Sequence, residues 1–254
     1  MPGRLPTEAD FPEGVTLSIV PPPPTQPPTN VLILLHGLGD THLPFKTLAS
    51  QLSLPETACI SLRAPAPLPF ELDGFHWGDD IIFDQSTGAM DSDTGFQKST
   101  RLLVEDVILN GVVRKCGYKM REIMLFGFAQ GGMVALKGAA QLASPSSSVS
   151  SDTGDELGGV ISIGGALPSS APLLEAGKKA KTPVLICKAT SGSSVSDSAV
   201  QRIKGIFEFV EVKEWKRNGD GMMRNREEML PIMQFFARRL RSRKGVPQGA
   251  VEIG

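Results

Sequence analysis

The sequence holds three histidines, His36, His42 and His76, and none beyond residue 76. The rest of the chain therefore offers no imidazole, the side chain whose ordinary pKa best suits proton transfer near neutrality. Cysteine is scarce as well: Cys59, Cys116 and Cys187 are odd in number, far apart and set mostly in apolar stretches such as PVLICK. That pattern fits buried free thiols and argues against a disulfide framework or a zinc site. No apolar run approaches a membrane span, the longest being of the size of VLILL at 31–35, and MPGRLPTEAD lacks the apolar core of a signal peptide. An excess of charge is missing too, with 26 Lys and Arg against 27 Asp and Glu. No global field then draws the protein to nucleic acid or anionic lipid. These absences predict a soluble, intracellular, cytoplasmic protein with no nucleic-acid partner and no stable membrane insertion.

What is present fits one domain: 254 residues, 41% of them hydrophobic, can bury a substantial single core. Short apolar runs alternate with segments of helical spacing, which predicts an α/β domain with a mostly parallel central sheet flanked by helices. VTLSIV (15–20) reads as an edge strand, followed by the extended, donor-poor PPPPTQPP (21–28), a loop or a Pro-rich ligand. VLILLHG (31–37), ACISLRAP (58–65), EIMLFGF (122–128), GVISIGG (159–165), TPVLICKA (182–189) and EFVEVKEW (208–215) read as strands. PFKTLASQL (44–52), residues 97–115, GGMVALKGAAQLA (131–143) and REEMLPIMQFFARRLRSR (226–243) read as helices. Pro231 is tolerable in the last of these only near a first turn or at a kink. A long irregular stretch is expected through PFELDGFHWGDD (69–80), and a flexible loop at 144–156. There is no internal repeat. The organisation expected is an N-terminal strand and Pro-rich connection over 1–29, a main domain over 30–242 and a fraying tail over 243–254.

One strand-to-helix junction carries chemistry. Gly127, Phe128, Ala129, Gln130 and Gly131 fit the G-x-S-x-G turn on which a serine nucleophile is mounted, except that the central residue is alanine. Any glycine-rich loop after a strand would explain the glycines, but not the strand before and the helix after.

At this point the chain resembles the phospholipase/carboxylesterase family, which includes acyl-protein thioesterases. The resembling stretches are LLHGLGDT (34–41), SLRAPAP (61–67), FHWGDD (75–80), LFGFAQGGMVAL (125–136) and GVISIGGALP (159–168), and together they place the likeness over roughly residues 30–240. The resemblance implies an α/β-hydrolase fold. It also implies an oxyanion hole formed by the backbone N–H groups of Leu38 and Gln130, shaped by Gly37 and Gly131, with His36 as a loop-organising residue. Backbone donors survive side-chain change, so this feature is expected to persist.

The same resemblance implies a triad in the chain order Ser, Asp, His. Ala129 stands at the nucleophile, and a methyl group has no proton to lose and no lone pair for attack. The base slot falls on Arg224 if GMMR (221–224) is aligned with the family's histidine segment, or on Met222 in an alternative alignment. A guanidinium stays protonated, and a thioether takes no proton near neutrality. The acid slot in PVLICKATSGSSVSD falls on Gly192, or on Asp197 after a local shift. A single engineered Ser→Ala change would leave acid and base in place, so the pattern reads as natural loss.

Other residues are candidates for a replacement apparatus. Cys187 has no downstream histidine and looks buried. Lys188 is either a group that binds a carboxylate or phosphate or an exposed strand-end lysine. His76 beside Asp79 and Asp80 lacks a second ligand motif, so no metal or cofactor is expected. Lys216, Arg217, Arg224 and Arg226 form either a solvated loop or an anion-binding rim. The expected function is a non-catalytic binding or regulatory protein that holds a small acyl, ester or carboxylate ligand. A weak ester or thioester hydrolase, with water attacking an ester polarised by the Leu38 and Gln130 amides, is the alternative. An interaction scaffold using the Pro-rich stretch and the polar loop, with an unknown protein partner, is a third.

Overall fold

Asn30–Leu35 (NVLILL) is buried at every position, the pattern of a strand covered on both faces rather than on one. It is β2 in a seven-stranded sheet. The computed structural model describes residues 3–23, 27–83, 88, 90–144, 156–175 and 177–242. The other strands are β1 (Leu17–Val20), β3 (Thr57–Leu62), β6 (Ile123–Phe128), β7 (Gly159–Ile163), β8 (Val184–Ser191) and β9 (Val210–Asn218). Their order is β1-β3-β2-β6-β7-β8-β9. Only β1 runs antiparallel to its neighbour; all other pairings are parallel. The expected α/β arrangement is thus the observed one.

The helices are α1 (His42–Leu52), α2 (Gln97–Arg101, continued by Leu102–Lys115), α3 (Gln130–Leu142), α4 (Asp197–Ile206) and α5 (Arg226–Arg239). Alternation along β2 divides the core. Val31, Ile33 and Leu35 face α2, α3 and α4, whereas Leu32 and Leu34 face Phe45 and Ala49 of α1 and Ile232, Phe235 and Phe236 of α5. Each such buried side chain contributes roughly 1.5–3 kcal/mol of transfer free energy, so the two layers fix the sheet from both sides. Asn30 ties the start of β2 to the segment after α5: its amide donates to the Arg241 carbonyl at 2.8 Å and its Oδ1 accepts the Arg241 N–H at 2.8 Å.

Several local features differ from the sequence pattern. Over Leu102–Lys115, α2 adopts wider i→i+5 turns, which bring Gly111 against the Phe11 ring. The stretch expected to be irregular contains a short hairpin, β4 (Ala66–Pro67) with β5 (Phe75–His76). Pro231 sits within α5 beyond its first turn. Of the polar loop expected at 144–156, residues 145–155 lie outside the described residues, as do residues 24–26 of the Pro-rich stretch and the expected tail at 243–254.

β2 is paired with β3 on one side and with β6 on the other, so the chain leaves β2 at a point where strand order reverses. Crevices for ligands in open α/β sheets lie outside the carboxyl ends of strands at such a point. The loop after β2 and the turn after β6 meet there.

Candidate functional site

The turn between β6 and α3 is tight because glycines permit it. A Cβ on Gly127 would lie 2.5 Å from the Gly132 Cα, and one on Gly131 would run into the carbonyl oxygens of Leu35 and His36. Between them Ala129 adopts φ 47°, ψ −117°, a left-handed conformation that a residue with a side chain holds only under constraint. Its N–H donates to the Ile163 carbonyl at 2.8 Å, and its carbonyl accepts the Met133 N–H at 3.1 Å. No side chain caps α3.

Against this turn lies the loop after β2. A Cβ on Gly37 would stand 2.9 Å from the Phe128 ring and 3.7 Å from the Ala129 methyl. Among the described residues, neither the Leu38 nor the Gln130 backbone N–H donates to another group. The Gln130 side chain is buried and fixes the surroundings, accepting the Trp77 N–H at 2.8 Å and donating to the Ser92 carbonyl at 3.3 Å.

His36 is fully buried beneath the loop. Its Nε2 accepts the Ala64 N–H at 3.0 Å, which leaves Nδ1 as the protonated nitrogen, 2.7 Å from the Gly37 carbonyl. The Trp77 indole N–H donates to the His36 carbonyl at 2.8 Å. Burial holds the His36 pKa below its ordinary value. With both ring nitrogens engaged, His36 organises the loop and has no nitrogen left for Ala129.

Gly192 lies in the loop after β8 with φ 61°, and a Cβ there would run into Asn218 Oδ1. Asp197 begins α4 with its side chain 96% exposed and accepts Lys188 Nζ at 3.0 Å. Glu214 lies 3.8 Å from the same ammonium, so Lys188 is occupied by carboxylates of its own chain.

Arg224 is exposed, and among the described residues its guanidinium has no hydrogen-bond or ion-pair partner. Its backbone N–H donates to Glu228 Oε2 at 2.7 Å. Met222 is partly buried against the core layer that also holds Trp215 and Ile232, and its carbonyl accepts Arg217 Nη1 at 3.1 Å. Arg217 also donates to the Gly221 carbonyl and stacks on Trp215, 4.6 Å from the ring centre. Of the four cations seen as a rim, Arg217 is therefore turned inward, while Lys216 on β9, Arg224 in the loop and Arg226 at the start of α5 are exposed.

Cys187 is fully buried, and burial pushes its thiol up to about 12. His76 is buried too, with its pKa lowered by desolvation despite Asp80 nearby. Asp79 is taken by the start of α2, accepting the N–H groups of Gln97 and Lys98 at 2.7 and 2.9 Å. Among the described residues no three His, Cys, Asp or Glu side chains converge as a metal site.

Three residues make contacts that little in the sequence announces. Lys137 on α3 is buried and donates to Ser170 Oγ at 3.0 Å, and Asp93 accepts the Ser169 N–H at 2.7 Å, so the segments around 93 and 169 are fastened together over α3. Asp220 reads in NGDGMM as one more loop charge, yet its carboxylate accepts the Ala189 N–H at 2.9 Å and the Ser194 N–H at 2.7 Å. An acidic residue between two glycines was the only signal.

Comparison with known proteins places these features in a family context. Residues 18–221 match the profile described as Phospholipase/Carboxylesterase. An uncharacterized hydrolase of Schizosaccharomyces pombe is 36% identical over 193 residues, covering 74% of each chain. Among solved structures, esterase PE8 superposes with a TM-score of 0.68 at 20% identity, covering 89% of this chain and 99% of its own. Acyl-protein thioesterase 2 of Zea mays gives 0.63 at 21% identity, with 88% and 98% covered. At that identity the structural likeness speaks for the fold alone, an α/β-hydrolase fold. Among the described residues no helix is long and apolar enough to cross a membrane.

Proposed function

The chain belongs to the phospholipase/carboxylesterase family, and from that premise we propose that it binds a small acyl, ester or carboxylate group without performing serine hydrolysis. The observation that carries this reading is Ala129 itself. The residue holds the strained backbone of a nucleophile turn, and its methyl group cannot attack an acyl carbon. The reading is supported by the histidines: His36 has both ring nitrogens bonded, and none follows residue 76. The two donors suited to a ligand oxygen are the N–H groups of Leu38 and Gln130, which suit a carbonyl or carboxylate. A binding or regulatory role in the cytoplasm belongs to the same proposal, and three buried free thiols fit a reducing compartment.

A second reading is favoured by the same two amides and by a relative named a hydrolase: water attacks a bound ester polarised by them, without a covalent intermediate. The two readings separate in one assay. Purified protein is incubated with p-nitrophenyl acetate and, separately, with a fluorophosphonate probe. The binding reading expects neither labelling nor turnover above buffer. Turnover without labelling would favour the direct-water route, and covalent labelling would defeat both.

A further inference from the structure

The loop between β9 and α5 carries Arg224 and also a carboxylate that reaches back across the sheet. Asp220 Oδ1 accepts the Ala189 N–H at 2.9 Å, and Oδ2 accepts the Ser193 hydroxyl at 2.9 Å and the Ser194 N–H at 2.7 Å. A side chain on Gly164 would begin 2.6 Å from the Asp220 Cβ, so glycine at that position admits the carboxylate. A Cβ on the next residue, Gly165, would stand 2.5 Å from the Ala129 carbonyl. Asp220 and Ala129 thus flank one dipeptide at the carboxyl end of β7.

Ser194 lies two residues beyond Gly192. An aspartate at 192 would be expected to turn its carboxylate onto that N–H, because Asx side chains bond the backbone two residues on. Asp220 already takes the bond. A side chain at 192 is blocked by Asn218 and by a left-handed φ of 61°. The loop after β8 therefore receives its carboxylate from the neighbouring loop. Arg217, bound to the carbonyls of Gly221 and Met222, fixes the path from Asp220 to Arg224. Asp197 is no competitor, being exposed and paired with Lys188.

We propose that Asp220 is the acid of this site, a positioning carboxylate that stands in for the one Gly192 lacks, so that only Ala129 and Arg224 separate the site from a Ser-His-Asp constellation. The proposal rests on the reading that Ala129 and Arg224 mark the nucleophile and base positions. It replaces three lost side chains by two.

The test uses the full chain carrying Arg224→His, followed by histidine-selective NMR. The imidazoles of His36, His42 and His76 report whether each variant keeps its fold. With Asp220 present the introduced imidazole is expected to titrate about 1 pH unit or more above its value in the Arg224→His, Asp220→Asn variant, because a nearby carboxylate favours the charged ring. It is also expected to show a slowly exchanging downfield Nδ1–H. Equal titration in the two backgrounds, or no such resonance, overturns the assignment, and the resonance alone decides if Asp220→Asn fails to fold. In the Ala129→Ser, Arg224→His background, Asp220→Asn is expected to lower p-nitrophenyl acetate hydrolysis at least about tenfold. Turnover no lower than that of the parent variant also overturns it. If the unaltered protein hydrolyses esters, the non-catalytic reading falls while the titration of the introduced imidazole still judges Asp220.

Discussion

Arg217 Nη1 lies 3.1 Å from Glu228 Oε2, and with side chains only 7% and 10% exposed the two form an ion pair largely out of water. The pair sits under the loop that carries Arg224. Arg217 holds the carbonyls of Gly221 and Met222 from one side, and Glu228 holds the Arg224 N–H from the other. One charge pair thus sets the path of four consecutive residues, Gly221 to Arg224, at the rim of the candidate site.

Breaking that pair from one side leaves an uncompensated charge, and Glu228→Ala is expected to cost about 3 kcal/mol in urea unfolding. A double replacement, Arg217→Met with Glu228→Met, is expected to cost clearly less than the sum of the single changes. Additive losses would show that the pair does not act as a unit.

Two glycines should respond in opposite directions. Gly131→Ala drives a methyl group into the backbone oxygens of Leu35 and His36 and is expected to destabilise by more than about 2 kcal/mol, shifting the Leu38 and Gln130 amide resonances. On α4, a Cβ at Gly205 would meet nothing within 4 Å, so Gly205→Ala is expected to stabilise by roughly 0.5–1 kcal/mol. Chemical denaturation with amide spectra checks both.

The histidines predict how stability varies with pH. Burial holds the pKa of His36, His42 and His76 below the ordinary value. The unfolded chain then binds more protons than the native one as pH falls through about 6.5, so stability rises with pH across that window. The contribution is complete above about pH 7 and is lost as pH drops toward the lowered native values. Asp10 acts in a separate window below about pH 4, because Arg4 holds its carboxyl well below the usual range. Thermal midpoints are expected to fall from pH 7.5 to 5.5, and His42→Gln should flatten the slope. A flat profile for the unaltered protein would contradict the account.

How much was legible in the sequence follows from the range of the interactions. The continuous apolar runs of β2 and β6 and the glycines around Ala129 are local signals, and they placed the sheet and the turn correctly. The hairpin at 66–76 was missed because its strands are two residues each and owe their pairing to contacts of Phe75 with Asp40 and Gly39 in the loop after β2. Asp220 was missed for the same reason in stronger form. Its partners Ala189, Ser193 and Ser194 precede it by 26 to 31 residues, so no spacing within NGDG announces them. Residues whose roles depend on a distant backbone amide are invisible until the loops are placed.

The strain at Ala129 gives the last prediction. At φ 47°, ψ −117° an alanine is disfavoured by about 1–3 kcal/mol, and here it is held by its bonds to Ile163 and Met133 and by glycines on either side. Ala129→Gly removes the steric penalty but adds freedom to the unfolded chain, so a net gain of up to about 1 kcal/mol is expected. Ala129→Ser keeps the strain and restores a hydroxyl, but His36, bonded at both ring nitrogens, cannot serve it as a base. Fluorophosphonate labelling of Ala129→Ser is therefore expected to stay near background. Rapid labelling of that single variant would show that a base reaches residue 129 from a part of the chain not credited with one.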